Sequence, residues 1–189
     1  MHIVTDWFVS IFKIFFFPTE KTFLEEAQKA DGKFWGAVVW LVLLTLFGVW
    51  FLVFNFGATY NPFAILAIIL LLPIIFLFYV FCIHLIYQRF FHRKKYVYNE
   101  ILYLMVCIIA PITVVNSYAG LIPNFGTTAS WVTILYGAFL VIAAIRAVCK
   151  LTIPQSIAVF VFATILGGVG FFCIPTFFMG LLGSVPGMF

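Results

Sequence analysis

Few residues of this chain have the type and spacing that chemistry requires, and His84 is the first of them. It is the one histidine inside a long apolar run, three residues from the end of that run. A neutral ring nitrogen there is able to ligate a haem iron or a chlorin magnesium. A hydrogen bond at the membrane interface is the alternative, because no second ligand accompanies the histidine. We predict no metal site and no resident cofactor in this chain. If a cofactor does bind, His84 is the candidate ligand.

A second candidate is the polar cluster Asn116, Ser117 and Tyr118, about one turn beyond Pro111. A proline inside a helix leaves the carbonyl four residues earlier, here that of Cys107, without its usual donor. Exposed backbone oxygen beside polar side chains favours a small polar pocket, as a small-molecule transporter would need. Hydrogen bonding between helices explains the same residues without any ligand.

A third candidate is the segment 88–96, where cations and aromatic residues are interleaved. Each cation near an anionic membrane surface contributes about 1 kcal/mol to association, and aromatic residues are able to wedge between headgroups. The same charges also act as a topology signal, so binding is the more specific of two interpretations. The residues expected to bind lipid or a partner are Arg89, Phe90, Phe91, Arg93, Lys94 and Lys95.

No arrangement typical of an enzyme accompanies these candidates. The sequence contains no HExxH motif, no phosphate loop and no paired carboxylates at membrane depth, so we predict a protein that is not an enzyme. The net charge of +4 does not form a stripe along one element, which argues against nucleic acid as a partner. The cysteines, one in each of four apolar segments, are expected to be small buried side chains.

The elements that position these residues are five long apolar segments. They cover residues 34–54, 62–87, 98–122, 129–149 and 154–182, and each is able to cross roughly 30 Å of hydrocarbon as a helix. Hydrophobic residues make up 66% of the chain and charged residues 8%, a balance that leaves too little polar surface for a soluble domain of this size. The predicted fold is therefore all-α, a polytopic integral membrane protein with five transmembrane helices.

The ten cations predict the orientation of these spans. Four precede the first span, four lie between the second and third, and two lie at the end of the fourth, whereas the other connections and the tail carry none. Because positive charge resists translocation, we expect a cytoplasmic amino terminus and a carboxyl terminus outside. The expected divisions are a cytoplasmic preface at 1–33, the bundle at 34–182 and a short extracytoplasmic tail at 183–189.

The preface is expected to contain two helices. Asp6, Ser10 and Lys13 recur at helical spacing among aromatic and aliphatic residues, which predicts an interfacial amphipathic helix with a thin polar stripe. Pro18 ends that helix, and Thr19 is able to cap a second one. In the second helix the apolar face is expected to contain Phe23, Ala27, Ala30 and Phe34, and the polar face Glu20, Glu25, Glu26 and Lys29.

Small residues at four-residue spacing predict where helices pack closely. Ala143 and Ala147 form one such pair, and Ala163 and Gly167 form another. This spacing lets helix backbones approach one another. Both pairs are interpreted as packing seams within the bundle, with a homodimer contact as the alternative.

Several segments together resemble the Yip-domain family, relatives of the eukaryotic proteins that interact with Ypt and Rab GTPases. The similarity is carried by the proline-containing segment 15–23, by Tyr103 and Pro111 in the third span, by Trp131 and by the basic turn 146–150 with the residues that follow it. The resemblance implies a five-span, non-enzymatic membrane protein of prokaryotic type, a family that in eukaryotes is associated with vesicle traffic and membrane shape. The chain lacks the long cytosolic extension of the eukaryotic members, so the resemblance does not extend to GTPase binding.

Three functions remain open from the sequence. The first is a scaffold or adaptor that organises membrane lipids, partner proteins or further copies of itself through its cytoplasmic face. The second is a small accessory subunit of a larger electron-transfer or light-harvesting complex, since 26 phenylalanines offer much lipid- or pigment-facing surface. The third is a small-molecule transporter centred on the polar cluster beyond Pro111.

Overall fold

Every element that the structure describes is a helix. The structure is a computed structural model, which describes residues 2–30, 33–56, 62–91, 97–119 and 126–183, with side chains for 5–30, 33–47, 70–91, 97–115 and 128–168. The helices in chain order are α1 His2–Phe16, α2 Glu20–Gln28, α3 Phe34–Phe56, α4 Pro62–Phe91, α5 Tyr98–Ala119, α6 Gly126–Cys149 and α7 Ile153–Gly183. The predicted all-α fold is thus confirmed.

Five of these helices, α3 to α7, coincide with the apolar segments of the sequence. Within the described residues, three stretches are long and apolar enough to cross a membrane: Leu70–Phe91, Tyr98–Val115 and Thr128–Cys149. Two further apolar helical stretches, Phe34–Phe47 and Ile153–Gly168, are shorter. Helices α4 and α5 continue through Pro73 and Pro111.

Helix α5 is the centre of the bundle. It contacts α1, α2, α3, α4 and α6, whereas α7 packs against α4 and α6. Residues 101–108 of α5 are all buried in succession, so no side of this stretch faces out of the protein. A helix that is apolar and covered all round is a core element, and α5 therefore positions whatever contacts it.

Local sequence explains how the short helices and tight turns form. Thr19 caps α2, since its hydroxyl accepts a hydrogen bond from the Thr22 backbone N–H at 3.2 Å, which confirms the predicted cap. Helix α6 ends in a turn in which Lys150 adopts a left-handed φ of 52° and the Leu151 N–H donates to the Arg146 carbonyl. This turn connects α6 to α7 in three residues.

Candidate functional site

The described cations lie at one end of the bundle. Long helices joined by short connections must alternate in direction, so the end of α4, the start of α5, the end of α6 and the start of α7 share one side. Arg89, Arg146 and Lys150 lie there and are exposed. Arg146 pairs with Glu20 at 3.8 Å, which places α2 at the same end. We call this end, with the cations of α1 and α2, the basic face.

The basic loop of the sequence lies only partly within the described residues. Phe90 is exposed and stacks on Phe162 of α7, with ring centroids 6.1 Å apart and planes 9° from parallel. Phe91 is partly buried against the core. The three cations Arg93, Lys94 and Lys95 lie outside the described residues. Their expected role in binding stays a prediction.

A buried carboxylate lies beneath the basic face. The Glu26 side chain is 1% exposed, and its Oε1 accepts from Lys29 Nζ at 2.7 Å, while Lys13 Nζ of α1 lies 3.9 Å from the same oxygen. The other oxygen, Oε2, has no hydrogen-bond partner among the described residues. Because burial of a carboxylate without a nearby cation is costly, Lys29 at the end of α2 compensates this charge locally, and Lys13 connects α1 to it.

The expected polar face of α2 was wrong for Glu26. The residue packs on the same side as Phe23 and Ala27, both of which are buried. The signal was present in the sequence, since Glu26 is three residues after Phe23 and four before Ala30, the spacing of one helix face. Glu26 was assigned to the polar face because it is charged, like its neighbour Glu25, and this spacing was not followed.

Helix α1 is attached to α5 through a second polar contact. The Tyr103 hydroxyl donates to Ser10 Oγ at 2.9 Å, and both side chains are buried. The Trp7 ring lies 4.6 Å from the Tyr103 ring, and Lys33 Nζ lies 5.7 Å from the centroid of the same tyrosine. Ser10 was expected on one polar stripe with Asp6 and Lys13, but it is buried whereas Asp6 and Lys13 are exposed. The stripe instead divides, with Ser10 turned inward and Lys13 turned towards α2.

The other side of α1 is not covered by protein. Phe8, Phe12 and Phe16 are all more than half exposed, whereas Trp7 and Ile14 are buried. Phe15 is partly buried, and its carbonyl accepts from the Tyr136 hydroxyl of α6. The helix therefore docks against the bundle on one face and presents an aromatic face outward, and its expected position at the membrane interface stays a prediction.

An apolar groove opens beside that aromatic face. It has a volume of about 480 Å³ and lies between α1, α3 and α5. We call it the α1 groove. The residues that line it include Phe8, Ile11, Leu43, Phe47, Pro111 and Val115. The polar pocket expected at this proline is not tested, because the side chains of Asn116, Ser117 and Tyr118 lie outside those described. The described part of the surface around Pro111 is apolar.

His84 is buried within the bundle. Its ring packs edge-on against Tyr98 at the start of α5, with centroids 6.2 Å apart. Among the described residues, no group of three or more His, Cys, Asp or Glu side chains is arranged to hold a metal ion. Cys82, Cys107 and Cys149 are buried.

The small residues of the sequence lie at helix contacts. Ala147 and Ala163 are buried, and Ala143 is partly buried against the core. At Gly167 a Cβ atom would lie 2.7 Å from Cδ2 of Tyr79, so α7 approaches α4 here more closely than any other residue permits. A smaller apolar cavity of about 290 Å³ adjoins this contact. Whether any of these residues also joins two copies of the chain stays a prediction.

Comparison with known proteins identifies one related family. A family model described as the Yip1 domain matches residues 12–185, which is nearly the whole chain. No curated protein and no solved structure matches the chain. The matched region includes α2 to α7 completely, together with the basic face and the buried carboxylate.

Proposed function

Because the chain belongs to the Yip1-domain family and is a membrane protein, we propose that it is a non-enzymatic scaffold or adaptor of Yip type. In this role it organises anionic lipids, or partner proteins with acidic segments, at its basic face. The proposal keeps the chemistry to binding, since the basic face presents exposed cations.

The observation that carries the proposal is the position of the cations. Lys13, Lys21, Arg89, Arg146 and Lys150 are exposed, and Arg89, Arg146 and Lys150 lie at the end of the bundle where α4 ends and α5 begins, to which the Glu20–Arg146 pair joins α2. Cations at headgroup level attract anionic lipid or acidic protein over about one Debye length. The aromatic residues Phe90 and Phe162 stack at the same end and add apolar surface.

The same distribution supports the topology that we propose. Five spans, α3 to α7, place the basic face in the cytoplasm with the amino terminus, and place the carboxyl terminus outside. The resemblance to bacterial members supports a cytoplasmic membrane of a prokaryote. Cysteines introduced at Thr59 and Thr127 are expected to react with an impermeant reagent from the outside only. Reaction of either one from the cytoplasmic side alone contradicts this topology.

Replacement of the loop cations tests the binding role. Arg93→Gln, Lys94→Gln and Lys95→Gln together should weaken the free energy of binding to vesicles of phosphatidylglycerol and phosphatidylcholine by up to a few kcal/mol at low salt. Flotation with the vesicles measures this binding. Lys13, Lys21, Arg146 and Lys150 remain and preserve the orientation. Unchanged flotation and unchanged partner co-purification, in a triple variant that inserts correctly, would reduce the loop to a topology signal.

One observation favours the accessory-subunit alternative. Trp131, Leu135 and Phe139 of α6 are exposed and recur at four-residue spacing, which forms an apolar stripe along the helix. Such a stripe suits either lipid or a helix of another subunit. A native mass spectrum from gently solubilised membranes separates the two, since a stoichiometric protein partner supports the subunit and a self-contained protein supports the scaffold.

A further inference from the structure

We infer that helix α1 holds one anionic phospholipid, with its phosphate beside Lys13 and Lys29 and an acyl chain in the α1 groove. The inference concerns a single bound lipid. It rests on the proposed function only in placing the basic face at headgroup level.

The two lysines offer charge and donors to a phosphate. Lys29 Nζ donates to Glu26 Oε1 at 2.7 Å, whereas Lys13 Nζ lies 3.9 Å from that oxygen, beyond hydrogen-bond distance. Two ammonium groups therefore share one carboxylate, and this cluster of three side chains has a net positive charge. Each ammonium has three donors, so the pairing with Glu26 leaves donors for phosphate oxygens. Lys13 is about half exposed and reachable from outside the protein.

The α1 groove supplies a site for an acyl chain. Its volume is about 480 Å³, and its walls are side chains without charge. Leu43 and Val115 line it and are exposed, so the groove is open towards the surroundings of the bundle. Leu43 and Phe47 are nine and thirteen residues beyond the start of α3, which is roughly 14 to 20 Å deeper than Phe34. That depth corresponds to the hydrocarbon region when Phe34 lies near the interface.

The surface of α1 connects the lysines to the groove. Successive residues of a helix are 100° apart, so the order around α1 is Lys13, then Phe16 and Phe12, then Phe8 at the groove. The three phenylalanines are exposed. A lipid is the occupant that matches this order, because its charged headgroup and its apolar chain are parts of one molecule. Inorganic phosphate would use only the lysines, and a polar peptide would leave its backbone unpaired in the groove.

Lipid counting on the intact chain tests the inference. The purified full-length protein in mild detergent is titrated with dioleoyl phosphatidylglycerol, and bound lipids are counted by native mass spectrometry. We expect one saturable lipid per chain, bound about fivefold more weakly by Lys13→Gln, which removes one cation near the phosphate. Leu43→Trp, which fills the groove, should also weaken it. The matched controls are Lys21→Gln, a cation of α2 that pairs with Glu25, and Leu46→Trp, an exposed residue of α3 that does not line the groove.

The outcomes separate this inference from the proposed function. Normal binding by Lys13→Arg together with weaker binding by Lys13→Gln supports the site, provided that both variants retain helical circular dichroism and a single elution peak. Equal loss in Lys13→Gln and Lys21→Gln, or binding that does not saturate, overturns it. Displacement of the lipid by millimolar inorganic phosphate also overturns it, because the apolar groove would then contribute nothing. Unchanged flotation of the loop variant, with Arg93, Lys94 and Lys95 replaced by Gln, would count against the proposed function but would leave these lipid counts unaffected.

Discussion

Helices α1 and α2 join the bundle through different chemistry from that which joins α7 to α4. The buried hydroxyls of Tyr103 in α5 and Ser10 in α1 are hydrogen-bonded, and Lys13 of α1 lies 3.9 Å from the buried Glu26 carboxylate of α2. Between α4 and α7 the contact is a close approach of Gly167 to the Tyr79 ring, beside an apolar cavity. The hydroxyl of Tyr79 reaches Thr164 only at 3.4 Å.

The difference shows how each contact is specified. A directional hydrogen bond to α5 and the attraction of Lys13 to a buried carboxylate help to fix the position of α1. A long apolar helix in lipid gains nothing from hydrophobic burial against another helix, so shape at a small residue decides where it packs. Substitutions in the two regions should therefore fail for different reasons and by different amounts.

The largest effect is expected at Lys29. Lys29→Met leaves the buried Glu26 carboxylate with only the more distant Lys13, and we expect a loss of about 3 kcal/mol in the free energy of unfolding in mixed micelles. Glu26→Gln in the same protein should restore part of that loss, because a neutral amide is less costly to bury. The control is Lys21→Met, whose exposed pair with Glu25 at 3.8 Å should contribute under about 1 kcal/mol. Equal losses in the two lysine variants would remove the polar half of the comparison.

The next effect is expected at Gly167. Gly167→Ala places a Cβ atom 2.7 Å from the Tyr79 ring, whereas a Cβ atom at Gly168 meets nothing within 4 Å. Both changes raise helix propensity equally, so their difference reports the steric contact. We expect Gly167→Ala to be less stable than Gly168→Ala by about 2 kcal/mol. Thermal unfolding of both variants in the same detergent measures this, and identical midpoints would show that shape does not specify the α4–α7 contact.

A smaller effect is expected at Tyr103. Tyr103→Phe keeps the ring against Trp7 but leaves the buried Ser10 hydroxyl without this partner, at a cost of about 1.5 kcal/mol. The double variant with Ser10→Ala should lose less than the sum of the two single variants, since the hydrogen bond is shared. Additive losses in this double-mutant cycle would mean that the two hydroxyls do not interact.

The smallest effect is expected at Tyr79. Tyr79→Phe removes a hydroxyl whose contact with Thr164 is long, while Thr164 already donates to the Phe160 carbonyl at 2.8 Å. We expect a change below about 0.5 kcal/mol. Unfolding of this variant beside Tyr103→Phe compares the same substitution in the two regions. A loss as large as that of Tyr103→Phe would mean that a hydrogen bond also stabilises the α4–α7 contact. The two regions would then not differ in the way proposed.

Much of the fold was predictable because its causes are local. The apolar segment 129–149 predicted α6 to within three residues, and Pro18 with Thr19 predicted the break between α1 and α2. The candidate site was predictable only in part. The cations of the basic face were identified, but Glu26 was assigned to the wrong face of α2, and the α1 groove was not foreseen. A groove depends on how three helices are spaced, and no pattern within one helix contains that distance.

The sequence by itself determined that this protein belongs in a membrane, which segments are long enough to cross it and which connections between them carry the cations. Those properties follow from the length of apolar runs and the order of cations along the chain, and no contact between distant residues is needed to state them. The tertiary structure alone decided that Ser10 bonds to Tyr103, 93 residues away, and that Phe15 meets Tyr136, 121 residues away. The physical reason is that a polar group will pair with any suitable donor or acceptor, and only the packing of α1 against α5 and α6 selects which one lies within reach.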